Sequence, residues 1–236
     1  MFRPGLEGVV AVETTIAEPD REGGSLRYRG VDIEELEPGM PEAGPYALRD
    51  ATGNAPADLQ RATAGLSAEW GLRKLIDVDD RQARDDLARL SATMMSIVAQ
   101  SARGSGAAPV PHETVAAGDT AAERFLLEWR GEADPTHVKA IDTYWICTAE
   151  HGLNASTFTA RVVASTGADC AAALSSAVGA LSGPLHGGAP ARVLPMLDAV
   201  AESGDAERYV RELLDRGERV MGFGHRVYRA RGSSAR

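Results

Sequence analysis

A chain of 236 residues, 44% hydrophobic and 25% charged, is long enough to bury a sizeable core and reads as an ordinary water-soluble globular protein. A formal net charge of −9 leaves no broad basic surface for phosphates, which excludes a nucleic-acid binder. Cys147 and Cys170 fall in helix-like segments and form no disulfide framework, so the expected compartment is reducing and cytoplasmic. The opening Met1-Phe-Arg-Pro-Gly5 lacks the apolar core of a signal peptide, and Arg161 and Asp169 interrupt the apolar stretch 160–181, so no membrane association is expected.

In chain order, β-branched residues over 9–16, a turn at 20–24 and a return at Leu26-Arg-Tyr-Arg-Gly30 read as a short β entry. Prolines and glycines between 37 and 57 leave no room for a long helix and read as an irregular connection. From 58 onward the pattern is helical. Asp79 or Asp80 caps a helix running to Gly104, with Ala83, Leu87, Met94 and Val98 inward. Pro111 starts another, with Ala121, Phe125 and Leu126 inward and Gly131 at its end. Asp134-Pro135 opens a helix carrying Val138, Ile141, Trp145 and Thr148 that stops at Gly152. Asn154 caps the next, with Phe158 and Val162 inward and Gly167 as terminator. The Ala- and Ser-rich segment 168–182, with Leu174, Val178 and Leu181 at helical spacing, belongs in the interior because small side chains permit close helix approach. Residues 189–202 read as a helix bent by Pro195, and Asp205 caps a last one with Tyr209, Leu213 and Leu214 inward. The class is mainly α, with a short N-terminal β-hairpin.

The chemistry concentrates in Leu181-Ser-Gly-Pro-Leu-His186-Gly-Gly-Ala-Pro190. Gly183-Pro184 ends an incoming helix, Gly187-Gly188 leaves room for a ligand to touch backbone, and Pro190 suits the first turn of a new helix. His186 then lies at or just before a helix N-terminus, where backbone N–H groups favour a neutral ring able to donate to a developing enolate oxygen. A helix-linking turn with a capping histidine fits the same decapeptide. His151 and His225 also occupy glycine-bearing breaks, while His112 and His137 read as surface residues. A zinc site wants a closely spaced ligand pair, which is missing, so no metal is expected. A Ser-His-Asp hydrolase wants a Gly-x-Ser-x-Gly elbow and a parallel sheet, and neither is present.

Three segments, His151-Gly-Leu-Asn-Ala-Ser-Thr-Phe158, Leu181-Ser-Gly-Pro-Leu-His-Gly-Gly-Ala189 and Gly222-Phe-Gly-His-Arg-Val-Tyr-Arg229, resemble the three histidine motifs of the citrate synthase family, in order. Gly5-Leu-Glu-Gly-Val9 and Leu26-Arg-Tyr-Arg-Gly-Val-Asp-Ile33 resemble that family's entry hairpin. The resemblance implies a citrate synthase-like multi-helical fold: 1–188 a partial large domain, 189–236 the start of a small one, and a homodimer as the assembly. It implies an acyltransferase of the tricarboxylic acid cycle that condenses acetyl-CoA with oxaloacetate to citrate and CoA, or propionyl-CoA to 2-methylcitrate. Acetyl-CoA is a substrate, so no cofactor is expected. By the same resemblance, His186 donates to the thioester oxygen and Ser156 orients its ring. His225 polarises the oxaloacetate ketone, His151 holds oxaloacetate with Asn154 nearby, and Arg229 contacts a CoA phosphate.

The match also departs from the pattern. Residues 37–57 stand where a helical pair is expected. The family's aspartate base lies further along than this sequence runs, and Ser234 stands where a carboxylate-gripping arginine is expected. A hydroxyl cannot replace a guanidinium fork. The expectation is a chain incomplete at its C-terminus, the product of a truncated or frame-shifted gene, with impaired activity. The alternative is a non-catalytic helical fragment that binds CoA or a longer partner.

Overall fold

Short polar side chains at helix starts set most of the architecture. The computed structural model describes residues 14–19, 26–32, 46–150, 152–220 and 222–223. Within these, β1 (Ala17–Pro19), β2 (Leu26–Tyr28) and β3 (Val31–Asp32) form an antiparallel three-stranded sheet in sequence order, with Ala17 opposite Tyr28 and Tyr28 opposite Val31. Of the strand expected over 9–16, residues 9–13 lie outside the described residues, and 14–16 precede β1 as irregular chain. The rest is helical, so the mainly α class with a small N-terminal sheet is the observed one.

Helix α1 (Ala55–Glu69) starts behind Asn54, whose side chain accepts from the Ala57 N–H, and tolerates Pro56 because first-turn N–H groups have no helical partner. Helix α2 (Asp80–Ala102) is capped by Asp79, as expected. Its buried face is Leu90, Thr93, Ile97 and Ser101, whereas Leu87 is exposed and Ala83, Met94 and Val98 are only half-buried. Periodicity fixes the spacing of a stripe but not which stripe the neighbouring helices cover.

The single helix expected after Pro111 is two, α3 (His112–Ala116) and α4 (Ala121–Arg130). A capping box makes the break: Thr120 accepts from Glu123 N–H through its hydroxyl, and the Glu123 carboxylate accepts from the Thr120 N–H. Helix α5 (Pro135–Thr148) begins at Asp134 and Pro135 as read, but ends at Thr148 rather than Gly152, with Thr148 itself exposed. Its next carbonyl-to-amide bond is intercepted by the Tyr28 hydroxyl, which donates to Ile146 O at 3.1 Å and accepts from Glu150 N at 2.9 Å.

Helix α6 (Ala155–Ser165) is capped by Asn154, though Val162 faces outward rather than inward. Helix α7 (Cys170–Leu181) occupies the interior as expected, with Ala171, Ala173, Ser175 and Val178 buried, although Leu181 at its end is exposed. Leu66 of α1, Leu90 and Ile97 of α2, and Cys170 and Ala171 of α7 form the core cluster. The bent helix expected over 189–202 is a 3-10 turn (Ala189–Arg192) followed by α8 (Val193–Ser203), with Pro195 in the first turn of α8, where its missing N–H costs nothing. Helix α9 (Ala206–Asp215) is capped by Asp205 and buries Leu213, while Leu214 points outward.

Two buried carboxylates tie these helices together. Asp58 accepts from Ser101 Oγ (2.6 Å), Thr52 N and Oγ1 (both 2.9 Å) and Gly53 N (3.2 Å), fastening the connection before α1 to the end of α2. Asp169 caps α7 and also accepts from Ser67 Oγ (2.9 Å) and Lys74 Nζ (2.8 Å). Burial works to raise both carboxyls. The donors around them outweigh it, and both sit below the usual carboxylate range.

A carboxyl held low in the folded state contributes stability above its unfolded pKa and loses it as pH falls through the folded one. Asp58→Asn removes an acceptor from this cluster and is expected to cost about 1–3 kcal/mol near neutral pH. The gap should narrow below about pH 4, where wild type also begins to protonate. Urea unfolding of both proteins between pH 3 and 7 checks this; a gap constant with pH contradicts it.

Candidate active site

The His186 turn closes on its own backbone. His186 N and Gly188 N both donate to Gly183 O, at 2.9 and 3.1 Å, and Ala189 N donates to His186 O at 3.0 Å. Gly187 and Gly188 are needed for this closure. A Cβ on Gly187 would lie 2.5 Å from Leu181 Cδ1 and 2.8 Å from Leu181 O, and one on Gly188 would press on Ser182 O. The sequence suggested that these glycines make room for a ligand; the structure gives them to the end of α7.

The imidazole reaches a helix N-terminus, but a different one from that expected. The chain after His186 enters the 3-10 turn, whereas the ring meets the start of α6. Nε2 lies 2.9 Å from Ser156 Oγ and 3.4 Å from Ser156 N, at the second residue of the helix. Ser156 is buried, and its hydroxyl also bonds Asn154 Oδ1 at 2.8 Å. Asn154 Oδ1 accepts in addition from Thr157 N at 2.9 Å, completing the cap. A backbone N–H can only donate, so a bond from Ser156 N puts the ring proton on Nδ1; a Ser156 hydroxyl whose proton goes to Asn154 Oδ1 can instead only accept from the ring, which puts the proton on Nε2. The arrangement is a fixed imidazole that, in its Nδ1–H form, turns a donor away from Ser156 toward an acceptor such as an oxygen gaining negative charge.

His186, Ser156 and Asn154 are therefore brought together. Asn154 enters as the cap of α6, a structural duty beyond the ligand role expected of it. His151, His225 and Arg229 lie outside the described residues. Among the described residues no group of three or more His, Cys, Asp or Glu side chains could hold a metal ion, and no helix is long and apolar enough to cross a membrane. Sequence reading missed Tyr28 as a residue touching this region. Its signal was present in Leu26-Arg-Tyr-Arg-Gly30, read only as a returning strand.

Residues 38–235 match the family model described as citrate synthase, C-terminal domain. The protein named "Putative citrate synthase 2" of Mycobacterium tuberculosis is 54% identical over 254 residues, covering 100% of this chain and 68% of that protein. The 2-methylcitrate synthase of the same organism is 34% identical, covering 97% of this chain and 66% of that protein. The citrate synthase of Thermoplasma acidophilum, solved as a ternary complex with carboxymethyl coenzyme A and oxaloacetate, superposes with a TM-score of 0.79 at 25% identity, over 96% of this chain and 68% of that one. This chain spans about two thirds of the length of each of these relatives. The chain belongs to the citrate synthase family and is an enzyme of the citrate synthase acyltransferase type.

Two outcomes check the site. Long-range 1H–15N correlation spectra should show His186 as the Nδ1–H tautomer, the form that accepts from Ser156 N; an Nε2–H signal would mean that the ring donates to the Ser156 hydroxyl instead. Gly188→Ala should lower stability by about 1–3 kcal/mol through overpacking, measured by thermal unfolding, whereas an unchanged midpoint would mean the turn has slack.

Proposed function

We propose that the chain condenses acetyl-CoA with oxaloacetate to citrate and free CoA. The observation that carries this reading is the His186 ring held by Ser156 at the start of α6. A thioester α-carbon is a very weak acid. Its deprotonation needs a carboxylate base on the carbon and, at the same moment, a hydrogen bond to the oxygen that gains the charge. The Nδ1–H of His186 serves as that donor. The nucleophilic carbon then attacks the oxaloacetate ketone, which His225 polarises, while His151 and Asn154 hold the keto-acid. Arg229 meets a CoA phosphate. Water finally cleaves the citryl thioester, releasing the thiol.

Assembly depends on features beyond the histidine turn. Exposed Leu185, Leu194 and Leu197 near the His186 turn support a homodimer as the working form, and the free thiols of Cys147 and Cys170 support a cytoplasmic setting. The division at residue 188, before the 3-10 turn, is proposed as the boundary between a large and a small domain.

Thiol release from acetyl-CoA, measured with and without oxaloacetate, tests the reading. Oxaloacetate-dependent release that falls at least ~100-fold in His186→Ala is expected, the scale of losing a preorganised oxyanion donor. Release that ignores oxaloacetate, or survives the substitution, overturns it. Propionyl-CoA run in parallel tells the two acyl chains apart.

A further inference from the structure

We propose that Tyr28 is a positioning residue for the candidate active site, acting through the connection between α5 and α6; the proposal rests on the condensation of acetyl-CoA with oxaloacetate being the reaction. The residue comes from the N-terminal sheet, far from the histidine motifs in sequence. Ala17 and Leu26 are buried in a small cluster with Tyr28, Ile146 and Cys147, so the sheet is docked on the C-terminal end of α5. Docking carries the Tyr28 hydroxyl to the helix axis. It donates to Ile146 O at 3.1 Å and accepts from Glu150 N at 2.9 Å.

These two partners are not arbitrary. In an unbroken α-helix the Glu150 N–H would donate directly to Ile146 O, four residues back. The phenol oxygen has been inserted into that single bond, as a side chain does where it terminates or bends a helix. The helix closes with a tighter bond from Ala149 N to Ile146 O at 3.4 Å and stops. Both of the groups the inserted oxygen separates remain satisfied, so the ending costs little.

The chain beyond the break makes its placement functional. It passes from Glu150 through His151 to Gly152, whose φ of 80° only glycine adopts readily, and then to Asn154, whose N–H donates to Gly152 O at 3.0 Å. Asn154 caps α6 and bonds Ser156, which holds the His186 ring. The connection is thus fixed at one end by the Tyr28 hydroxyl and at the other by the Asn154 cap. A phenol suits the first role, since its ring is gripped by the cluster and only two torsions remain to place the oxygen. Without the hydroxyl, α5 gains the option of closing its own bond and running on, which would redirect the chain leading to the Asn154 cap.

Tyr28→Phe deletes one oxygen and keeps the packing, and Leu213→Ala loosens packing in α9, outside the cluster that holds Tyr28. In folded Tyr28→Phe, amide exchange in peptides covering 149–156 should quicken about tenfold, the effect of losing one hydrogen bond, while α1, α2 and α7 stay as in wild type. The KM for oxaloacetate should rise by a similar factor with kcat little changed, and the His186 ring nitrogen signals should move. Leu213→Ala should lower the melting temperature yet leave that KM close to wild type. Unchanged exchange over 149–156 overturns the proposal. So does faster exchange with unaltered oxaloacetate KM and unaltered His186 signals, which would reduce Tyr28 to a helix stop. If wild type neither binds oxaloacetate nor releases thiol, the proposed function fails by itself. The His186 ring signals of Tyr28→Phe then decide the positioning role: displaced signals uphold it and coincident ones end it.

Discussion

The close antiparallel packing of α6 and α7 is the constraint on which the site depends. Gly167 turns the chain between them, and small side chains along α7 let α6 and α1 approach closely. The two helices have 11 and 12 residues, hence lengths of about 17 and 18 Å. Equal antiparallel lengths bring the start of one beside the end of the other. Ser156, at the start of α6, therefore faces the turn just after α7, where His186 stands. No special contact draws imidazole and hydroxyl together; the length match and the sharp turn do most of it, and the glycine pair at 187 and 188 supplies the rest by letting the turn lie against Leu181 and Ser182.

That packing would be soft if α7 could slide. Asp169 prevents it at the other end, because the carboxylate that caps α7 is also bonded to Ser67 of α1 and to Lys74. Lys74 is more than half exposed, so its ion pair contributes modestly; the bonds from Ser67 and the helix N–H are half-buried and carry more of the register. Asp58 does the equivalent for α1 and α2 through Ser101. A helix frame pinned by such contacts can hold a ring nitrogen to within a few tenths of an ångström, which is the precision a transition-state hydrogen bond requires.

Features that depend on neighbours along the chain were legible from the residues alone. Asp79, Asp134, Asn154 and Asp205 cap helices because a short polar side chain reaches an N–H two or three residues ahead, and that geometry needs nothing else. The interior place of 168–182 followed from its small side chains. Features set by distant residues were not legible. Leu87 and Leu90 are equally good helical positions on α2, and only the placement of α1 and α7 buries the second. Val162, Leu181 and Leu214 face outward for the same kind of reason. The capping box at Thr120 and Glu123 was a local signal passed over. The early end of α5 was not local at all, since it is written in a tyrosine more than a hundred residues upstream. The role of His186 could be argued from its glycine-rich turn, but its partner Ser156 came only through resemblance, because a contact spanning thirty residues leaves no periodic trace.

The break in α5 and the turn after α7 have something in common that bears on why chemistry sits there. Inside a helix every backbone donor and acceptor is already paired, and a side chain is fixed by one element only. At a helix end several N–H or C=O groups need partners, and a side chain from elsewhere can supply one. Tyr28 does so at the end of α5, and His186 at the start of α6. In both places the group that satisfies the backbone is itself held by it, so position comes from bonds the fold had to make anyway. A reaction that needs an imidazole kept in one tautomer gains from this directly: in the Nδ1–H form, Nε2 is the acceptor that the Ser156 N–H must find. The glycines around these breaks are then a requirement of bringing a helix end and a foreign side chain into contact, ahead of any demand from a ligand.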